Sequence, residues 1–390
     1  MLEKLILHLY FCFSCYAGCS QSADWKAIAF LPEELEEASG MVFFPPNRIV
    51  HINDGGNRPS LISTDTIGNI IQNYCIPGAE NQDWEDLCRD EKGNLYIGDF
   101  GNNRNAREDL KIYKLPYQKV FNGEDDYLLE EISFQYEDQM RFPPKKKNRN
   151  FDTEAMIHIG DSIYLFTKNR TKPFSGFTYC YKIPDTPGYY IAEKVDSFYT
   201  GNGPKEVDWI TASTFREKPR TLILLGYNKM WMFYYFKGTK FFSGKHNILY
   251  FNTFTQKEAI SFKNSNSLYL SDEKNNSKDG LLYELFLPKI LPENIPDTAY
   301  SHIDVNVELE DRKVSKKIKL EIETKSDGDW HWQAFNMQGQ RMHFQESSLL
   351  QAGKHELEIN LKKWTSGDYY LHVFVNHSLH KFVIHKKETK

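Results

Sequence analysis

Apolar residues in this chain come in short runs, cut every few positions by Gly, Asn, Asp or Pro, which is the pattern of strands and turns rather than of long helices. Five stretches repeat one plan: "EASGMVFFPPNRIVHINDGGNRPSLIST", "DWEDLCRDEKGNLYIGDFGNNRNAREDLKIYKLP", "DTEAMIHIGDSIYLFTKNRTKPFSGFTYCYKIP", "KEVDWITASTFREKPRTLILLGYNKMWMFYY" and "KEAISFKNSNSLYLSDEKNNSKDGLLYELFLP". Each reads as an acid-led strand, a turn, an aliphatic strand, a polar Asn-rich loop and a third strand. The leading acids are Glu37, Glu85, Glu154, Glu206 and Glu258, at steps of 48, 69, 52 and 52 residues. Such steps suit four-stranded propeller blades, a little longer than the common ~40–45-residue repeat.

Fourth strands follow most repeats, as in "IIQNYCIPG", "YLLEEISFQYE" and "YYIAEKVDSFYT". The fifth repeat lacks one, and "DWKAIAFLP" at residues 24–32 is placed to supply it, closing the ring and removing its exposed edges. The expectation is an all-β chain with a five-bladed β-propeller over 24–290. A sixth blade would have to hide in the 69-residue step or in "GTKFFSGKHNILYF". The Pro-spaced segment 291–302 reads as a linker, and residues 303–390 alternate polar and apolar positions, as in "IKLEIETK" and "KHELEINL", as expected of a small β-sandwich.

Composition supports strands, with 23 Tyr and 27 Phe in 390 residues. A net charge of −5 gives no electrostatic case for a nucleic-acid partner. Residues 1–22 combine a short charged start with an apolar run from Leu5 to Ala17, too short to span a bilayer, and read as an export signal. Its end, "YAGC", looks like a lipoprotein processing box with Cys19 as the lipidated residue; ordinary cleavage nearby is the alternative. A lipid at Cys19 would be the only membrane attachment. Cys75, Cys88 and Cys180 have no metal-ligand spacing and are expected as buried free thiols. His51 and His158 fall in strands and are expected to be structural.

Antiparallel blades put the start of the inner strand and the end of the second strand on one face. That face gathers Glu37, Glu85, Asp86, Glu154, Glu206, Asp208 and Glu258 at the channel mouth, with Ser39 beside them. Converging carboxylates raise one another's pKa unless compensated, and a hard cation such as Ca²⁺, which takes oxygen ligands, is the simplest compensation. The alternative is that these acids bind strand amides or Lys and Arg and hold blades together. Around them stand Asn53, Asp54, Arg58, Asp99, Asn102, Arg104, Lys168 and Arg170, with Lys229 and the Lys145 to Arg149 run, a setting for an anionic small molecule or a glycan. Glycines of "DGGNR" and "DFGNNR" are expected as turn residues of positive φ. No nucleophile elbow, zincin motif or phosphate loop is present in the sequence.

The segments "HINDGGNRPSL", "DWEDLCRDEKGNLYIGDFGNNR" and "FDTEAM...IYLFTKNR" resemble a bacterial group of exported propellers allied to phytase-like and strictosidine-synthase-like proteins. A weaker likeness, to calcium-activated nucleotidases, rests on the inner acids alone and implies Ca²⁺ in the channel and phosphoester hydrolysis; a hydrolase of that kind would use Glu85, Asp86 and Glu154 as ligands or general base and Arg104 and Arg170 to grip the anion. The C-terminal "WHWQAFNMQGQRM" and "INLKKWTSGDYYLHVFVNHSLHKFVIHKK" resemble the sorting domain of the type IX secretion system, with Gly339, Gly367, Tyr369, Lys381 and Val383 fitting its pattern. That resemblance implies outer-membrane secretion machinery as a partner and a surface or extracellular destination. The domain's start, "DVNVELEDRKVSK", lacks the Pro-Asn-Pro entry of that family, and a plain immunoglobulin-like module is the alternative.

Overall fold

The computed structural model describes residues 24–287 and 305–388, apart from 252, 275–279, 310–312, 315, 325–327, 337–340 and 376–377. Cys19, the linker and Gly339 lie outside the described residues. The chain divides into two compact units, one built from the repeats and one from the C-terminal strands.

In the first unit β1 (Asp24–Phe30) precedes five inner-to-outer meanders. The first comprises β2 (Ala38–Phe44), β3 (Arg48–Asn53), β4 (Ser60–Thr64) and β5 (Ile70–Cys75). The second comprises β6 (Trp84–Arg89), β7 (Asn94–Asp99), β8 (Lys111–Pro116) and β9 (Glu130–Tyr136), with the short helix α1 (Tyr117–Phe121) before its last strand. The third runs through β10 (Thr153–Ile159), β11 (Ser162–Thr167), β12 (Phe177–Pro184) and β13 (Gly188–Tyr199). A single helical turn, α2 (Lys205–Asp208), leads into the fourth: β14 (Ala212–Glu217), β15 (Arg220–Leu225), β16 (Lys229–Tyr234) and β17 (Lys245–Tyr250). The fifth holds β18 (Lys257–Phe262), β19 (Ser267–Asp272) and β20 (Leu281–Phe286), and β1 pairs antiparallel with β20 as its outer strand.

The inner strands β2, β6, β10, β14 and β18 pack side by side in that cyclic order, and β18 returns to β2, so the sheets stand as blades around one axis. Among the described residues five four-strand blades lie in four hydrogen-bonded sheets, since the second and third blades share one eight-stranded sheet, and "GTKFFSGKHNILYF" supplies the fourth blade's outer strand β17. The long step between the second and third repeats is taken up by α1 and by the segment before β10. Blades two and three are also joined at their rims, where β13 runs parallel to β9.

Burial explains the sequence pattern. Inner strands are covered on both faces, so β2 is buried along its whole length, whereas the rim strand β13 alternates exposed and covered positions. Each seam has its own apolar core: Trp84 with Leu95 and Tyr113 between blades one and two, Phe134 with Met156 between two and three, Trp231 with Phe166 between three and four. Met230 with Leu270 fills the next seam, and Met41 with Tyr269 fills the last.

The second unit is a sandwich of a three-stranded sheet, β21 (Val305–Leu309), β23 (Lys317–Thr324) and β26 (Gly353–Asn360), and a five-stranded sheet. The latter is ordered β22 (Lys313–Val314), β28 (Ser378–Lys386), β27 (Gly367–Val375), β24 (Gly328–Phe335) and β25 (Arg341–Leu350). Its core contains Ile318, Leu320, Trp332, Trp364, Tyr369 and Ile384. Of the residues singled out by sequence, Gly367 opens β27 at φ 147°, Tyr369 is buried on it with its hydroxyl donating to Thr365 O at 3.0 Å, and Val383 is exposed on β28. Lys381 lies on β28 as well.

Candidate functional site: the carboxylate-lined channel mouth

One backbone feature builds the mouth. Where each inner strand starts, its pairing with the second strand slips by one residue: between Ala38 and Gly40, Trp84 and Asp86, Thr153 and Ala155, and Lys257 and Ala259. In the fourth blade Thr211 N reaches Leu225 O at 3.0 Å while Ala212 pairs with the same residue. The bulged residues are Ser39, Glu85, Glu154, Thr211 and Glu258. A bulge leaves its residue unpaired and re-aims the side chain. The residue after each bulge is Gly40, Ala155, Ala212 or Ala259, small where the strands crowd at the axis, except for Asp86.

This register corrects the spacing-based alignment at two repeats. Glu37 lies ahead of its strand, exposed, and accepts from Asn57 Nδ2; the bulge position is Ser39, whose hydroxyl donates to Trp84 O at 3.1 Å. Glu206 sits on α2, half exposed and paired with Lys205 at 3.2 Å, and the bulge position is Thr211. Asp208 is buried against Lys229 and accepts from Gly203 N at 2.6 Å.

The positions just past the second strands complete the ring with Asp54, Phe100, Lys168, Tyr227 and Glu273. Two acids of the third blade are matched by cations: Lys168 Nζ lies 2.8 Å from Glu154, and Arg170 lies 2.5 Å from Asp152 and 3.1 Å from Glu154. Lys168 and Arg170 both stack over Trp209, at 4.9 and 5.0 Å. Asp54, Asp83, Glu85, Glu258 and Glu273 make no ion pair among the described residues. Burial, reinforced by neighbouring carboxylates, raises Asp83 and Glu273 each to about 7. Burial lifts Glu258 to about 8 against the pull of Lys168, and Tyr227 donates to it at 3.0 Å. Burial and the nearby Glu154 hold Glu85 well above the usual carboxylate range.

Asp54, Asp83 and Glu85 each offer an oxygen within 4.8 Å of the others. Glu85 is 6% exposed, yet its carboxylate accepts no hydrogen bond among the described residues. The glycines of the two flanking loops make this packing feasible. A Cβ on Gly101 would stand 2.2 Å from Glu85 Oε1 and 2.5 Å from Asp83 Oδ2, and one on Gly55 would stand 2.5 Å from Asp83 Oδ1. Of the glycines expected as positive-φ turn residues, Gly56 alone has that conformation, at 83°; Gly55 and Gly101 are there for space. Sequence reasoning placed the "SDEKNN" loop at the mouth without singling out its Glu273, and it missed Asp83. Asp83 precedes its blade's first strand, but its place between two Gly-bearing loops was a usable signal.

The other candidates have structural partners. Asp86 accepts from Leu87 N at 2.8 Å and, across the seam, from Met156 N at 2.7 Å, while burial raises its pKa well above normal. Asp99 pairs with Arg107 at 3.0 Å and accepts from Asp83 N at 3.1 Å. Asn102 receives Ala106 N and Arg107 N, and its own N–H donates to Asp152 at 2.6 Å. Asn53 Nδ2 donates to Glu34 O at 2.7 Å. Arg58 and Arg104 are exposed on their loops, as are Lys145, Lys146 and Lys147.

His51 meets Thr64 Oγ1 at 3.1 Å, and burial lowers its pKa to about 3; His158 lies 2.9 Å from Asp185. Cys88 and Cys180 are buried free thiols, and Cys75 is free and half-buried.

No protein-family model matches the sequence, and no curated protein matches it. Solved structures similar to it include the PQQ-bound aldose sugar dehydrogenase of Streptomyces coelicolor, at 11% identity and TM-score 0.40, covering 67% of this chain and 98% of that one. A Bacteroides thetaiotaomicron protein of unknown function is 9% identical at TM-score 0.38, covering 67% and 75%. A Lactobacillus plantarum protein is also 9% identical, at TM-score 0.32, covering 82% and 88%.

Proposed function

We propose that this is an exported β-propeller protein that holds a divalent cation, Ca²⁺ by donor chemistry, between Asp54, Asp83 and Glu85 and presents the loaded face to a ligand. The observation that carries this reading is Glu85, a residue 6% exposed whose carboxylate meets no hydrogen-bond donor among the described residues, packed against two further carboxylates and given room by Gly55 and Gly101. Hard oxygen donors fit Ca²⁺, which completes its shell with carbonyl oxygens and water. The ion would offset the repulsion that now raises these acids and would lock the loops after β3 and β7 onto the segment before β6. The C-terminal sandwich, by its resemblance to sorting domains, would handle delivery to the outer membrane and the cell surface.

Phosphoester hydrolysis is the less supported use of the same mouth. Its anion grips would be Arg170, already held by Asp152 and Glu154, and Arg104, exposed on its loop.

The test is a thermal melt of the chain from residue 24, in calcium and in chelator, followed by a phosphoester panel on the same sample. A specific ion at about 100 times its Kd adds roughly 2.7 kcal/mol. Wild type should show that rise, and Glu85→Gln and Asp83→Asn should lose most of it. An equal rise in both variants would take the ion elsewhere, and turnover of a phosphoester would restore the hydrolase. Removing the residues after 302 should abolish surface delivery; normal delivery of the shortened chain would end the sorting assignment.

A further inference from the structure

Lys168 occupies an unusual place for an ammonium. It follows the second strand of blade three, at the position held in the other blades by Asp54, Phe100, Tyr227 and Glu273. Its side chain is 6% exposed and its nitrogen lies 2.8 Å from Glu154, the bulged residue of its own blade. The nitrogen is 4.9 Å from the Trp209 ring and 6.0 Å from the Tyr227 ring of blade four, and the Tyr227 hydroxyl donates to Glu258, the bulged residue of blade five, at 3.0 Å. Its charge also acts on Glu85 of blade two, Asp54 of blade one and Glu273 of blade five. The direct contacts of this one ammonium thus lie on blades three and four, while its charge is felt by carboxylates of blades one, two and five.

We propose that Lys168 is the propeller's own axial cation: its ammonium takes the place among Glu154, Glu258 and Glu85 that a divalent ion would otherwise fill, and so confines the exchangeable ion to the off-axis pocket of Asp54, Asp83 and Glu85. The off-axis half rests on the calcium reading above; the axial half does not. A tethered cation neutralises the bulge carboxylates without an entry path or a dependence on ambient metal. A buried ammonium is tolerated only when paired and hydrogen-bonded, and Glu154 with the aromatic faces of Trp209 and Tyr227 meets that condition. Removing the ammonium would leave Glu154 and Glu258 facing a space lined by hard oxygen donors.

The experiment counts calcium ions per chain, by equilibrium dialysis and by titration calorimetry, in wild type, Lys168→Arg and Lys168→Met. Wild type and Lys168→Arg should bind one ion and Lys168→Met two. One ion in all three overturns the axial role and leaves the off-axis pocket standing. No ion in wild type with one in Lys168→Met overturns the pocket and upholds the axial role, and none in either overturns both. If Lys168→Met is unfolded in chelator, recovery of its native melt on adding calcium supports the proposal, and failure to recover at any calcium concentration counts against it. The double variant Lys168→Met/Glu154→Gln, which removes the carboxylate along with its partner, should return to one ion, and a second ion retained there would overturn the assignment to Glu154.

Discussion

At the scale of single residues the mouth is decided by a few side chains whose sizes matter as much as their charges. Gly101 is the clearest case, because a methyl group there would displace Glu85 and Asp83 together. Gly101→Ala should cost about 1–3 kcal/mol, as overpacking does, and should also abolish the calcium-induced rise in melting temperature. A variant that is merely less stable but keeps the full calcium rise would separate Gly101 from the pocket. Asp86 does different work from its neighbour Glu85. Its carboxylate satisfies amides on β6 and β10, so Asp86→Ala leaves buried N–H groups without acceptors, at about 1–3 kcal/mol each. Urea unfolding should show that loss while the calcium response per folded molecule is unchanged. The sequence marked both acids as alike, since "WED" carries no sign of the bulge that turns Glu85 into the mouth and leaves Asp86 across the seam. Asp83 and Glu273 were harder to read for a related reason: the Gly-bearing loops on either side of Asp83 were its one signal, and the weight of both acids comes from their burial beside other carboxylates.

At the scale of elements the repeat was readable because blade strands are short and covered on both faces, which writes apolar runs between Gly, Asn and Asp turns. Register was less readable. Leading acids were matched at equal spacing, whereas the structure matches bulges, moving the first blade from Glu37 to Ser39 and the fourth from Glu206 to Thr211. The insertion of α2 absorbs the difference in the fourth blade. The closing strand was legible, because the fifth repeat ended one strand short and an orphan strand preceded the first. β1 does more than cover an edge: Trp25 lies 4.7 Å from Tyr283 and 5.5 Å from Phe251, and Lys257 approaches all three rings within 5.5 Å. A chain beginning at residue 33 should therefore expose the β20 edge, melt well below a chain beginning at residue 24, and self-associate in light scattering. Equal melting temperatures and a monomeric profile would show that the fifth blade closes without β1.

At the scale of the whole molecule the mouth couples stability to pH in a direction opposite to most surface carboxylates. An acid whose folded pKa is raised favours folding while protonated, so its contribution is complete below the unfolded pKa and is lost as pH rises through the folded one. For Glu258 that window runs from its ordinary 4.5 to about 8, and for Glu273 from 4.5 to about 7. In chelator the protein should therefore lose stability between about pH 5 and 8, where paired carboxylates elsewhere are already ionised and contribute no further change. Glu258→Gln should flatten the upper part of that decline, because an amide can keep the Tyr227 contact without acquiring charge. Calcium should oppose the same decline, since a bound divalent ion favours the ionised forms that burial penalises, and its stabilisation should grow as pH rises. Melting curves of wild type and Glu258→Gln at half-unit pH steps, with and without calcium, check all three statements. A wild-type profile in chelator that stays flat or rises to pH 8 would mean that these acids are better solvated than their burial implies. The blades would then be held together at the axis by Lys168 and Asp86 without electrostatic strain, and the mouth would have no need of a metal.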